Sequence, residues 1–128
     1  MRQTLPKSFI LRGYQSFTKV ISSGVSYHGT MLTAYVAMDA DDMNVVIGFS
    51  VPKKQVPLAA HRLRIKRLMR EAVRKHIAGI IADARQRTIG VKIVLMFKRD
   101  KSKDLTRLTL HDLEPTWIDI QQRIRKAL

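Results

Sequence analysis

The sequence predicts a single α+β domain, in which helices and strands in the order α-β-β-β-α-β-α build a mixed four-stranded sheet. At 128 residues, the chain has room for one ordinary domain and is short for two. A hydrophobic fraction of 45% is that of a globular protein. No repeat, low-complexity tract or linker divides it. We therefore assign residues 1–128 to one domain, with 1–8 as a flexible arm because Pro6 opposes helix formation there.

The chain predicts one short helix and then two strands in its first third. Apolar residues repeat at helical spacing over 14–22, and the serines and the glycine that follow end this helix. Segments 25–28 and 31–38 are predicted strands, with a tight turn or bulge at Gly29 between them.

Two further strands complete the predicted sheet. An acidic turn at 39–42 separates 31–38 from the third strand, 45–51, so we expect those two strands to pair as a hairpin. The run V-K-I-V-L-M-F at 91–97 is almost wholly apolar and is flanked by turn residues. Such a run is typical of a central strand that is covered on both faces.

The remaining helices follow from periodicity and from proline and glycine. A long helix is predicted from near Leu58 through Ile77, where Gly79 loosens its end, with a further helical piece to about Arg85. The final helix is predicted to follow Pro115, a good residue for a first turn. Its apolar stripe contains Leu113, Trp117, Ile120, Ile124 and Leu128.

Composition restricts the possible functions. The 24 Lys and Arg residues exceed the 10 Asp and Glu residues, which gives a net charge of +14 and favours a polyanionic partner. The chain has no cysteine and no paired histidine motif, so we expect no metal held by the protein. No nucleophile or base motif is present, and no catalytic residue is predicted. The absence of a long apolar run or a signal-peptide core makes a cytoplasmic protein without membrane contact the expectation.

The cations concentrate on the long predicted helix. Its apolar side is predicted to pack on the core and contains Ile65, Leu68, Met69, Ala72 and Val73. The opposite side has Glu71 as its only acid, and the pair Lys53 and Lys54 precedes the helix. A solvated surface is one alternative, and a helix that docks on a membrane or in a groove of a partner protein is another. We favour phosphate binding because arginine contacts phosphate oxygens in pairs. The basic side contains Arg62, Arg64, Lys66, Arg67, Arg70, Arg74 and Lys75.

Two aromatic residues refine the expected partner. Phe17 on the first helix and Tyr35 on a strand could line a groove between that helix and the sheet, where they would stack on unpaired bases. The alternative, that both are simply buried, stays open at this point. No helix-turn-helix or zinc-finger pattern is present, so RNA is the better hypothesis.

Two segments together resemble a known family. G-F-S-V-P-K-K followed by H-R-L-R-I-K-R-L-M-R-E-A is similar to the signature of the bacterial ribonuclease P protein component, which has an R-N-R-x-K-R-x-x-R-E pattern on its long helix. Upstream, L-R-G-Y-Q-S-F-T-K-V-I-S-S-G resembles the first helix of that family. The order of elements agrees, and the resemblance covers about 11–128.

The resemblance implies a ribonucleoprotein endoribonuclease that removes the 5′ leader from precursor tRNA. In that family the RNA subunit performs cleavage with Mg²⁺ that is bound mainly by the RNA. There is no organic cofactor, and one protein per catalytic RNA is expected. Phe17 and Tyr35 match aromatic residues of a leader-binding cleft, and Ile21 matches a further cleft position. Lys53, Lys54 and the basic helix match the surface that contacts ribonuclease P RNA. The resemblance also implies a left-handed β-α-β crossover, against the usual preference.

Two positions depart from the family pattern. Leu63 replaces the usual asparagine in the middle of the basic surface, and a leucine cannot hydrogen-bond RNA. Ile21 replaces an aromatic residue of the cleft, which reduces a stacking platform to a van der Waals wall. A structural RNA-binding protein, such as a ribosomal component, is the alternative function, since it would share the charge without needing a cleft.

Overall fold

The computed structural model describes residues 10–11, 14–41 and 44–128, with side chains described from residue 16 onward in the first helix. The predicted arm, 1–8, lies outside the described residues. The helices and strands, in chain order, are α1 (Tyr14–Ser23), β1 (Val25–His28), β2 (Leu32–Asp39), β3 (Val45–Ser50), α2 (Ala59–His76), α3 (Ala78–Arg87), β4 (Gly90–Phe97) and α4 (Leu110–Ala127). A 3₁₀ turn at Leu105–Arg107 precedes α4.

The described strands form one mixed sheet in the order β1-β2-β4-β3. β1 pairs with β2 and β2 with β4 in antiparallel fashion, whereas β3 and β4 are parallel. The predicted α+β architecture and the central position of β4 are thus confirmed. The predicted hairpin between β2 and β3 is wrong, because β4 lies between them. That arrangement buries the apolar residues of β4 against a strand on either side, which an edge position would not do.

The two faces of the sheet carry different layers. Alternate residues of β4, such as Ile93 and Leu95, join the main core with buried residues of α2, α3 and α4. Gly48 lies opposite Val94 in the β3–β4 register and therefore faces the other way. A Cβ atom at Gly48 would come within 2.3 Å of the Phe17 ring, which places α1 directly on that second face.

The long helical region breaks where the sequence indicates. α2 begins at Ala59 and ends at His76, and α3 follows after a single residue, Ile77. β3 and β4 are parallel neighbours joined through these two helices, so a β-α-β crossover is present. Its left-handed sense stays a prediction.

The prediction that the last helix follows Pro115 is wrong. α4 begins at Leu110, and Pro115 lies inside it. The Thr109 backbone N–H donates to Asp112 Oδ2 at 2.8 Å, and the Thr109 hydroxyl donates to the same oxygen at 3.2 Å. This capping box starts the helix five residues before Pro115, and Pro115 loses only the bond to the His111 carbonyl.

Candidate nucleic-acid interface

The apolar and basic sides of α2 lie where the sequence predicts. Its buried residues are Ile65, Met69, Ala72 and Val73, all fully excluded from solvent, and Leu68 is partly buried against them. On the opposite side Arg67 and Arg70 are exposed. Leu63 is also exposed, with 52% of its surface accessible. Its predicted place on the basic surface is confirmed.

Two of the predicted phosphate-binding arginines are bound to backbone carbonyls. Arg62 donates from Nη1 to the carbonyls of Val56 and Pro57, at 3.0 and 2.7 Å, and so fixes the loop that leads into α2. Arg64 donates to the carbonyl of Leu105 at 3.2 Å and also to that of Leu108. These carbonyls belong to the segment between β4 and α4, so Arg64 joins two parts of the fold.

Two more arginines have partners within the protein. Arg74 pairs with Glu71, and its Nε lies 3.1 Å from Oε2. That hydrogen bond is the main reason why the pKa of Arg74 is raised above its usual value. Arg70 lies over the Phe49 ring, 5.7 Å from its centroid, in a cation–π contact.

Lys75 pairs with Glu114, with Nζ 3.7 Å from Oε1, which leaves four predicted cations available to a ligand. Lys53, Lys54 and Arg67 are exposed and Lys66 is half-buried. Among the described residues, none of the four has an acidic partner within salt-bridge distance. The cations most able to contact phosphate therefore lie at the exit of β3 and on the outer side of α2.

We expect Arg64→Met to lower the free energy of unfolding by about 1.5–3 kcal/mol, the range for hydrogen bonds to a charged group. Methionine keeps the length and helix propensity of the side chain but leaves both carbonyls without their donor. Thermal or urea unfolding monitored by circular dichroism measures the change. Arg67→Met is the matched control because Arg67 is exposed on the same helix, and its stability should stay within about 0.5 kcal/mol of the wild type. Equal stability of the two variants would contradict the structural role.

Sequence reasoning missed a second pair of cations at the same edge of the sheet. β3 and β4 are parallel, so their carboxyl ends meet there. Lys98 and Arg99 follow β4 and are exposed. The Arg99 backbone N–H donates to the Gln55 side-chain oxygen at 2.8 Å, which holds the loop after β4 against the loop that contains Lys53 and Lys54. The sequence shows that Lys98 and Arg99 directly follow an apolar strand, but only the observed pairing of β4 with β3 brings them beside Lys53 and Lys54.

Two of the predicted cleft residues, Phe17 and Tyr35, lie on the α1 face of the sheet. The β-sheet register places Gly48, Val94 and Tyr35 in one row across β3, β4 and β2. Phe17 covers the Gly48 end of this row, and Ile21 lies one helical turn further along α1. Phe17, Ile21 and Tyr35 are each partly exposed. Full burial, the alternative for the two aromatic residues, is therefore excluded.

The described part of the chain shows neither a metal site nor a membrane-spanning helix. No group of three or more His, Asp or Glu side chains is placed to hold a metal ion there. Within the same residues, no helix has the length and apolar character needed to cross a bilayer.

A family model described as Ribonuclease P matches residues 5–121. The chain belongs to this family. A ribonuclease P protein component from a Pseudanabaena species is 33% identical over 90 residues, which are 70% of this chain and 77% of the relative. One from Chlorobaculum tepidum is 41% identical over 75 residues, but the match spans only 49% of that protein.

The family assignment agrees with the fold. The solved ribonuclease P protein of Thermotoga maritima superposes with a TM-score of 0.71 at 20% identity, covering 89% of this chain and 96% of that one. At this identity the likeness concerns the fold alone. Family membership therefore rests on the sequence match, and the structure adds the same α+β architecture.

Proposed function

We propose that this chain is the protein subunit of ribonuclease P, which binds the ribonuclease P RNA and the 5′ leader of precursor tRNA. The observation that carries the proposal is the group of unpaired cations, Lys53, Lys54, Lys66 and Arg67, in a member of the Ribonuclease P family. Cations without acidic partners release bound counterions from phosphate when they dock, and this release drives binding to RNA.

The sheet face under α1 would receive the leader. Phe17 and Tyr35 are partly exposed, and aromatic rings can stack on unpaired bases without strong preference for sequence. Ile21 would supply an apolar wall beside them. Tyr35 carries a hydroxyl that can also hydrogen-bond a base or a phosphate.

Catalysis would lie in the RNA, with Mg²⁺ bound mainly there and without an organic cofactor. Such a particle would contain one protein per catalytic RNA and would lie in the cytoplasm. In it, the chain would reduce the repulsion between the catalytic RNA and the precursor tRNA. Because cations of the protein then replace part of the counterion atmosphere, less Mg²⁺ would be required for the same rate.

The test is cleavage of a precursor tRNA at low Mg²⁺ by the ribonuclease P RNA of the same organism, with and without this protein. Strong stimulation, together with no cleavage by the protein alone, is the expected result. Binding of the RNA without stimulation would instead favour a structural RNA-binding protein. Cleavage by RNA-free protein would overturn the assignment of catalysis to the RNA.

A further inference from the structure

An apolar groove lies within the cationic surface of α2. Val51, at the exit of β3, and Ala59 and Leu63, on the first turns of α2, line it together with Arg62 and Lys66. Its volume is about 230 Å³. Val51 is 7% exposed and Leu63 is 52% exposed, so the floor is buried while one wall projects into solvent. We refer to these five residues as the Leu63 groove.

The groove combines apolar and cationic side chains, which match the apolar base face and the charged phosphates of a nucleotide. Arg62 and Lys66 are four residues apart, so they lie on one side of the helix, about 6 Å from each other along its axis. Leu63 lies between them in sequence, and the other two lining residues, Val51 and Ala59, are apolar. An unpaired nucleotide has an apolar base face and a phosphate on either side, whereas a base inside a duplex has no free face.

We propose that the Leu63 groove binds the base of an unpaired nucleotide of ribonuclease P RNA, with Lys66 directed at a flanking phosphate. This inference rests on the proposed function. The rim favours an anionic ligand, since no acidic side chain lines the groove and Lys66 lies on it, and within the proposed function that ligand is RNA. An aliphatic wall also recognises a base without hydrogen bonds, so no particular base is specified.

Leu63→Ala is the first test, because alanine keeps the helix and removes most of the wall. Its affinity for ribonuclease P RNA should fall roughly fivefold, since about half of a leucine side chain remains to be covered. The slope of log affinity against log salt should not change, because no phosphate contact is lost. Lys66→Gln should instead reduce that slope by about 0.7–0.9.

Leu58→Ala is the matched control. Leu58 is 61% exposed at the start of α2 but does not line the groove, so its removal should leave RNA affinity unchanged. Equal affinities of the Leu63→Ala variant and the wild type would overturn the proposal and leave the groove to another partner. A wild-type protein that fails to bind ribonuclease P RNA at all would instead reject the proposed function.

Crosslinking locates the nucleotide directly. The natural chain has no cysteine, so Leu63→Cys introduces a single thiol that can carry a photoactivatable group. Within the assembled ribonucleoprotein, we expect crosslinks at one unpaired nucleotide, and Leu58→Cys should not reproduce them. Crosslinks confined to base-paired RNA, or the same pattern from both positions, would contradict a base in the groove.

Discussion

Replacing Lys53, Lys54 and Arg67 together with glutamine is expected to lower the affinity for ribonuclease P RNA roughly 50- to 150-fold near physiological salt. These side chains are exposed and have no acidic partner among the described residues. Each phosphate contact contributes about 0.7–0.9 to the slope of log affinity against log salt, so the slope should become shallower by about 2–3. Filter binding or fluorescence anisotropy over a salt series measures both quantities.

A matched variant separates local contacts from net charge. Arg85, Arg87 and Lys126 are also exposed, and the two arginines end α3, just before β4 begins. Because β3 and β4 are parallel, the start of β4 and the exit of β3 lie at opposite ends of the strands. Replacing these three residues with glutamine removes the same charge and should change the affinity less than about threefold, as expected for charges beyond a Debye length. Equal losses in the two triple variants would show that only net charge matters.

Local patterns predicted most of the elements but not all of their pairings. Helical periodicity located α1 and the buried side of α2, and the apolar run of β4 predicted its central position. The hairpin prediction failed because the hydrophobic pattern of a strand indicates how deeply the strand is buried. It does not indicate which strand lies beside it in the sheet. The predicted start of α4 was wrong because the prediction treated Pro115 as a first-turn residue. A proline suits a first turn, yet the bonds between Thr109 and Asp112 started the helix earlier.

The same limit applies to the basic side of α2. The helical wheel placed Arg64 and Arg67 together, but the fold separates their roles. The carbonyls that Arg64 contacts lie 41 and 44 residues further along the chain, a distance over which periodicity carries no information. Lys98 and Arg99 were missed in the converse way, since only the parallel pairing of β3 with β4 brings them beside Lys53 and Lys54. The net charge therefore predicted a polyanionic partner, whereas tertiary contacts determine which cations are available to bind it.

Replacing Tyr35 with alanine is expected to weaken the binding of precursor tRNA to the assembled ribonucleoprotein roughly 5- to 150-fold, while the affinity for mature tRNA stays unchanged. The ring is partly exposed on the α1 face of the sheet, in the row whose Gly48 end Phe17 covers. In the proposed cleft, only a substrate with a leader would reach it. Tyr35→Phe keeps the stacking surface and should retain most of the affinity. Phe17→Ala should have a similar effect. Because the Phe17 ring packs on Gly48, the thermal stability of this variant must be measured in parallel.

Val25→Ala provides the control for this cleft. Val25 is 62% exposed and is paired with the core residue Val36, so it lies on the opposite face of the sheet from Tyr35. Its loss should leave the ratio of precursor to mature tRNA affinity unchanged. Equal losses for precursor and mature tRNA in Tyr35→Ala would place the ring against the tRNA body or the catalytic RNA. Discrimination between the two substrates depends on the leader alone, so this ratio tests the cleft independently of the cations of α2.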